Sequence, residues 1–178
     1  MGKIIYVTGG RRSGKSAIAQ AMAEGIAGPR VYIATCPVID EEMRARVEAH
    51  RKARQGKEWN TVEEPLALAR AMDENQGAGV ILVECLTLWV NNILYQAELD
   101  GRVARADEAE RMMASAMEAA VRAPGVVIFV SNEVGWGIIP DNPLARLFSD
   151  IAGRVNQLAA MKSNEAYLAV SGVSIKIK

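Results

Sequence analysis

One stretch constrains this chain more than any other: Gly9-Gly10-Arg11-Arg12-Ser13-Gly14-Lys15-Ser16, because of what flanks it. The run Ile4-Ile5-Tyr6-Val7 before it is apolar and β-prone, and Ala17-Ile18-Ala19-Gln20-Ala21 after it is helical in character. Strand, glycine-rich loop and helix in that order, fitting G-x-x-x-x-G-K-[ST], predict a phosphate cradle. The glycines let backbone N–H groups turn onto phosphate oxygens, and the helix N-terminus adds the positive end of its dipole. Lys15 is then expected to meet the β and γ phosphates of a nucleotide, and the Ser16 hydroxyl to ligate Mg²⁺.

The rest of the sequence keeps the same alternation. Lys3–Thr8, Arg30–Ala34, Val80–Glu84, Val126–Ser131 and Ala166–Val170 read as strands. The first four are nearly continuously apolar, as strands covered on both faces are. Between them Ser16–Ile26, Asp40–Arg54, Pro65–Glu74, Leu86–Leu99, Ala104–Arg122 and Asn142–Met161 read as helices. The fold class is therefore α/β, a mostly parallel sheet flanked by helices. The tail from Ala166 through Ser171-Gly172 to Ile177 reads as two strands about a turn, which would add an antiparallel strand at the C-terminal edge. No repeat or linker breaks the 178 residues, so residues 1–178 are expected to form a single nucleotide-binding domain.

Twenty-one Lys and Arg balance twenty-one Asp and Glu. No overall field draws the chain to nucleic acid or to an anionic membrane, and phosphate chemistry must be local. Apolar runs such as Val80–Val83 are far shorter than the roughly 20 residues of a membrane span. Nothing near Met1 follows signal-peptide order, so a cytoplasmic protein is expected. Cys36 and Cys85 lack a C-x-x-C or His/Cys neighbourhood and are expected as reduced thiols. With one histidine in the chain a zinc site is discounted, which leaves phosphate-bound Mg²⁺.

A phosphate loop also needs a carboxylate at the end of a neighbouring strand to hold the metal shell. Glu84, closing Val80-Ile81-Leu82-Val83, is the candidate, with Ser131, Asn132 and Glu133 expected at the opposite edge of the sheet, on the same carboxyl-end face. No N-K-x-D motif is present, so a switch GTPase is disfavoured, and Asp150–Gly153 reads as a chance D-x-x-G inside a helix. The helix from Asp40, its expected N-cap, puts Arg46, His50 and Arg54 on one face at i, i+4 and i+8. Its apolar content is too small for deep burial. The same residues allow two readings: a solvated charged helix, or an imidazole nucleophile toward phosphorus with Arg46, Arg51, Lys52 and Arg54 around it.

Taken together, Thr8 to Ser16, then Tyr32-Ile33-Ala34-Thr35 leading to Asp40-Glu41-Glu42-Met43-x-x-Arg46-Val47-x-x-His50, then Glu84-Cys85-Leu86-Thr87-Leu88-Trp89, resemble a known family. Ser131 to Pro140, Arg146-x-Phe148-x-Asp150-x-x-Gly153-x-x-Asn156-Gln157 and Val170-Ser171-Gly172 continue the match over nearly the whole chain. It is the bifunctional adenosylcobinamide kinase / adenosylcobinamide-phosphate guanylyltransferase family of cobalamin biosynthesis. The resemblance implies phosphorylation of the aminopropanol hydroxyl of adenosylcobinamide, then transfer of GMP from GTP onto that phosphate with release of pyrophosphate. It implies a P-loop, recombinase-like sheet, a homotrimer, ATP and GTP as substrates, and a histidine at the position of His50 that carries GMP covalently. Nucleotide contacts implied in the same way are Gly9, Gly10, Arg11, Arg12, Ser13, Gly14, Lys15, Ser16, Thr35, Cys36, Arg51, Lys52, Ala53, Arg54, Glu63 and Glu84.

Two other classes stay open on the residues themselves. One is a monofunctional P-loop kinase for a small molecule, with His50 as surface decoration. The other is a nucleotide-binding regulatory module without chemistry, disfavoured because Lys15 and Glu84 are both present.

Overall fold

Short runs that are apolar at every position can be satisfied only inside a sheet covered on both sides, and the computed structural model builds one. It describes residues 2–36 and 41–178, apart from the side chains of Glu42, Met43, Arg46, Ala49, His50 and Ala53. The expected N-cap Asp40 lies outside the described residues. The strands are β1 (Lys3–Gly9), β2 (Arg30–Ala34), β3 (Trp59–Glu63), β4 (Val80–Glu84), β5 (Val126–Val130), β6 (Glu165–Val170) and β7 (Val173–Lys176). The helices are α1 (Lys15–Glu24), α2 (Glu41–Ala53), α3 (Leu68–Asp73), α4 (Leu86–Leu99), α5 (Ala106–Arg122) and α6 (Pro143–Lys162).

The strands form one seven-stranded sheet in the order β3-β2-β4-β5-β1-β6-β7. β1 pairs in parallel with β5, from Lys3↔Val126 to Val7↔Val130, and with β6, from Ile5↔Glu165 to Gly9↔Ala169. β6 and β7 pair antiparallel, so the C-terminal tail does close the sheet with an antiparallel edge.

Three expectations need correcting. Ser131, Asn132 and Glu133 do not follow a strand at the opposite edge, because β5 lies between β4 and β1 in the middle of the sheet. Its near-complete burial suits that place. β3 was not among the expected strands: Trp59-Asn60-Thr61-Val62-Glu63 carries a single aliphatic residue, and as the edge strand it is largely exposed. The helix expected from Pro65 starts at Leu68 instead, because Glu64 Oε1 accepts the Leu66 and Ala67 N–H groups and holds the segment in a turn.

Alternate residues of each strand feed two cores. Ile4, Tyr6, Ile33, Ile81, Val83 and Phe129 face α3, α4, α5 and α6. Ile5, Val7, Tyr32, Leu82, Ile128 and Val130 pack with Ala19 and Ala23 of α1. Trp89 of α4, fully buried, donates its indole N–H to Leu66 O at 2.8 Å and so fixes the turn after β3. The carboxyl ends of β1 to β5 all open on one face, where open α/β sheets bind ligands.

Candidate active site

The loop after β1 is folded by its own backbone. Ser13 N–H donates to Gly10 O at 3.2 Å, and Gly14 takes φ +91°, a conformation that glycine adopts without strain. A Cβ on Gly14 would come within 3.1 Å of Gly172 Cα, because the β6–β7 turn rests against the loop and Gly172 N–H donates to Ser13 O at 2.8 Å. α1 begins without a side-chain cap, so its first N–H groups face the loop as anion donors. Lys15 is buried, and its ammonium reaches back across the loop to Gly10 O at 3.4 Å. Gly9 to Ser16 thus assume the cradle that their spacing predicts.

Ser16 Oγ donates to Glu84 Oε1 at 2.6 Å, joining the start of α1 to the end of β4 across β5. Glu84 Oε2 is buried with no hydrogen-bond partner. Burial pushes the Glu84 carboxyl above the usual carboxylate range, opposed by the Ser16 hydrogen bond and by the charges of Lys15 and Arg54. A hydroxyl and a carboxylate with a buried, unpartnered oxygen beside a phosphate cradle fit the donor set of a phosphate-bound Mg²⁺. Among the described residues no group of three or more His, Cys, Asp or Glu could hold a metal unaided, so nucleotide phosphates would complete the shell.

The neighbouring strands bring the remaining expected residues toward this face. Thr35 Oγ1 donates to Glu84 O at 3.0 Å and accepts from Cys85 N–H at 2.8 Å, and Asn92 Nδ2 donates to Thr35 O, so the ends of β2 and β4 are locked together. Cys36 follows, half-buried, and neither Cys36 nor Cys85 is in a disulfide. Arg54, just beyond α2, is buried with its guanidinium 3.4 Å from the centroid of the Tyr32 ring. Its Nε and Nη1 have no hydrogen-bond partner. Arg51 and Glu63 form an exposed ion pair, and Lys52 is exposed. His50 and Ala53 lie in α2, with side chains outside the described residues.

A further set of polar residues meets at the end of β5. Ser131 Oγ donates to Asn156 Oδ1 at 2.6 Å, Asn132 N–H donates to Thr87 Oγ1 at 2.8 Å, and Asn156 Nδ2 donates to Asn132 O at 3.0 Å. Thr8 Oγ1 donates to Glu133 Oε1 at 2.6 Å, and Glu133 N–H donates to Gly9 O at 3.1 Å. Thr8, Thr87 and Asn156 had no assigned role in the sequence; the available signal was polar side chains directly after a buried strand and an asparagine within an otherwise apolar helix face. Beyond Glu133, residues 134–140 arch over α6 and leave a cleft of about 620 Å³.

Against known proteins, this chain matches the family described as Cobinamide kinase / cobinamide phosphate guanyltransferase over residues 5–177. The chain belongs to that family. A "Bifunctional adenosylcobalamin biosynthesis protein CobU" of Escherichia coli is 42% identical over 184 residues, covering 98% of this chain and 99% of the relative. The protein of the same name from Salmonella typhimurium is 41% identical over 192 residues, covering 98% and 99%. "Bifunctional adenosylcobalamin biosynthesis protein CobP" of Pseudomonas aeruginosa is 38% identical over 176 residues, covering 97% and 95%. Among solved structures a KaiC-like protein from Pyrococcus horikoshii superposes with a TM-score of 0.56 at 10% identity, covering 93% of this chain and 70% of that one, a likeness of fold. The family's match spans the phosphate loop, α2 and the residues that follow β5. Among the described residues no helix is long and apolar enough to cross a membrane.

Proposed function

We propose that this chain, acting as one cytoplasmic domain over residues 1–178, phosphorylates adenosylcobinamide with ATP or GTP and then transfers GMP from GTP to the adenosylcobinamide phosphate. The observation that carries the reading is the coincidence of a family match over residues 5–177 with a folded phosphate loop in which Lys15, Ser16 and Glu84 converge. In the first reaction the aminopropanol hydroxyl attacks the γ phosphorus, and the bond to the nucleoside diphosphate breaks. Backbone N–H groups of the loop and α1 bind the phosphates, and the Lys15 ammonium offsets the charge that develops on the β and γ oxygens. Ser16 and Glu84 would hold Mg²⁺, which when bound neutralises phosphate charge.

In the second reaction the imidazole of His50 attacks the α phosphorus of GTP; an N–P bond forms and the bond to pyrophosphate breaks. The acceptor phosphate then attacks the same phosphorus and the N–P bond breaks, giving adenosylcobinamide-GDP. Arg54, buried four residues beyond His50 with unpaired donors, and Arg51 and Lys52, exposed beside it, are cations for the triphosphate. Thr35, Cys36 and Glu63, at or just past the ends of β2 and β3, are the further nucleotide contacts that the family resemblance implies. The family resemblance favours a homotrimer.

Incubation with α-labelled GTP tests the reading. Label should survive denaturation, be labile in acid and stable in alkali, and chase into adenosylcobinamide-GDP on addition of the phosphorylated acceptor. A protein that phosphorylates adenosylcobinamide but never holds label would be a monofunctional kinase instead.

A further inference from the structure

An alcohol that attacks phosphorus must lose its proton, and a positioned base that receives it contributes rate. Among the described residues, two carboxylates make hydrogen bonds to the phosphate loop or its flanks, Glu84 and Glu133. Glu84 is engaged by Ser16 and closed in by burial. Glu133 is held differently. Its N–H is tied to Gly9 O, the first residue of the loop, and its Oε1 accepts from Thr8 Oγ1 at 2.6 Å and faces Asn156 Nδ2 at 3.5 Å. Among the described residues its Oε2 has no hydrogen-bond partner, on a half-buried side chain. Glu133 also occupies a seam. On one side is the loop that takes the donor phosphates, and on the other the cleft under residues 134–140 begins at Val134.

That cleft suits a bulky acceptor with both apolar faces and amide-bearing arms. Ile138 and Ile139 offer apolar surface, while Arg146, Asp150, Arg154 and Gln157 offer donors and acceptors along α6. Its roof is braced: Arg146 Nη1 donates to Pro140 O at 2.8 Å and to Asp141 O at 2.7 Å.

We propose that Glu133 is the proton acceptor of the kinase step, with the acceptor alcohol entering from the cleft under residues 134–140. This rests on the bifunctional reading above. The hydroxyl O–H bond breaks and its proton passes to Glu133 Oε2. The alcohol oxygen forms a bond to the γ phosphorus, and the electron pair of the breaking P–O bond leaves on the nucleoside diphosphate. The proton returns to solvent after product leaves. Thr8 is a positioning residue that fixes the other carboxylate oxygen, and α6 assists through Asn156.

The test is Glu133→Gln, which keeps the shape and the carbonyl that accepts from Thr8 but cannot take a proton. With adenosylcobinamide as acceptor, kcat for phosphorylation should fall about 100-fold or more. KM for the nucleotide, and the Kd for a non-hydrolysable nucleoside triphosphate, should stay within about threefold. Thr8→Val should lower kcat about tenfold in the wild-type background and less than about twofold in Glu133→Gln, because it acts through the carboxylate. A Glu133→Gln enzyme with kcat within about threefold of wild type would overturn the proposal, as would a loss of kcat matched by the same loss of nucleotide affinity. If the wild-type protein itself fails to phosphorylate adenosylcobinamide, the bifunctional reading has failed rather than the role of Glu133.

Discussion

Ser16→Ala perturbs the joint between α1 and β4. Glu84 is held there by one side-chain hydrogen bond among the described residues, from Ser16 at 2.6 Å, and its other oxygen is already buried and unpaired. Removing the hydroxyl leaves a buried carboxyl without a side-chain donor, a cost of about 1–3 kcal/mol. For a domain of this size each kcal/mol shifts Tm by roughly 2–4 °C, so Ser16→Ala should melt about 2–12 °C below wild type. Ser16→Thr, which keeps the hydroxyl, should melt near wild type. Combining Ser16→Ala with Glu84→Gln should recover part of the loss, because a neutral amide is cheaper to leave unpaired than a carboxylate; the coupling expected for contacting residues is about 0.5–3 kcal/mol. Circular dichroism melts in nucleotide-free buffer at neutral pH read all three. A Ser16→Ala protein melting within about 1 °C of wild type, or a double variant whose losses simply add, would refute the reasoning.

Lys15→Ala should reduce phosphorylation by about 10²–10³ or more, the scale of losing one electrostatic stabiliser, while circular dichroism stays native. His50→Ala should lose acid-labile GMP labelling yet keep kinase activity and helix α2, since alanine is the better helix former. Burial would raise the Glu64 carboxyl, but the N–H groups of Ala67 and Leu66 and the Arg70 guanidinium outweigh it and hold it below its ordinary value. A carboxylate depressed in this way stabilises the fold above its unfolded pKa and ceases to as pH falls through the folded value. Glu64→Gln should therefore lower Tm by a few degrees at neutral pH, with the gap closing as pH falls below the ordinary carboxylate range; a gap independent of pH would assign the effect to shape rather than charge.

The phosphate loop was legible because its chemistry is local: glycines, Lys15 and Ser16 between a strand and a helix decide it within a few residues. The parallel core was legible for the same reason, since continuous apolar runs demand two covered faces. Strand order was not, because nothing within Val126–Val130 says that it inserts between β4 and β1; that is decided by how the helices on both faces fill space. β3 escaped because an edge strand can be polar on its open positions. Arg54 on the ring of Tyr32 joins residues that share no local pattern, and a charged helix end gives no sign that its last guanidinium is buried.

β1 has a temporal consequence. It is synthesised well before either of its sheet partners, β5 beginning at Val126 and β6 at Glu165. At about 5–20 residues per second, β1 waits on the order of 6–25 s for the first of them. Throughout that interval the apolar run Ile4-Ile5-Tyr6-Val7 has no native partner, and the loop it carries has neither Glu133 nor the Gly172 turn to lean on. Nucleotide therefore cannot chaperone early folding of this chain. The nascent strand depends on transient cover, and the phosphate site forms among the last features to assemble.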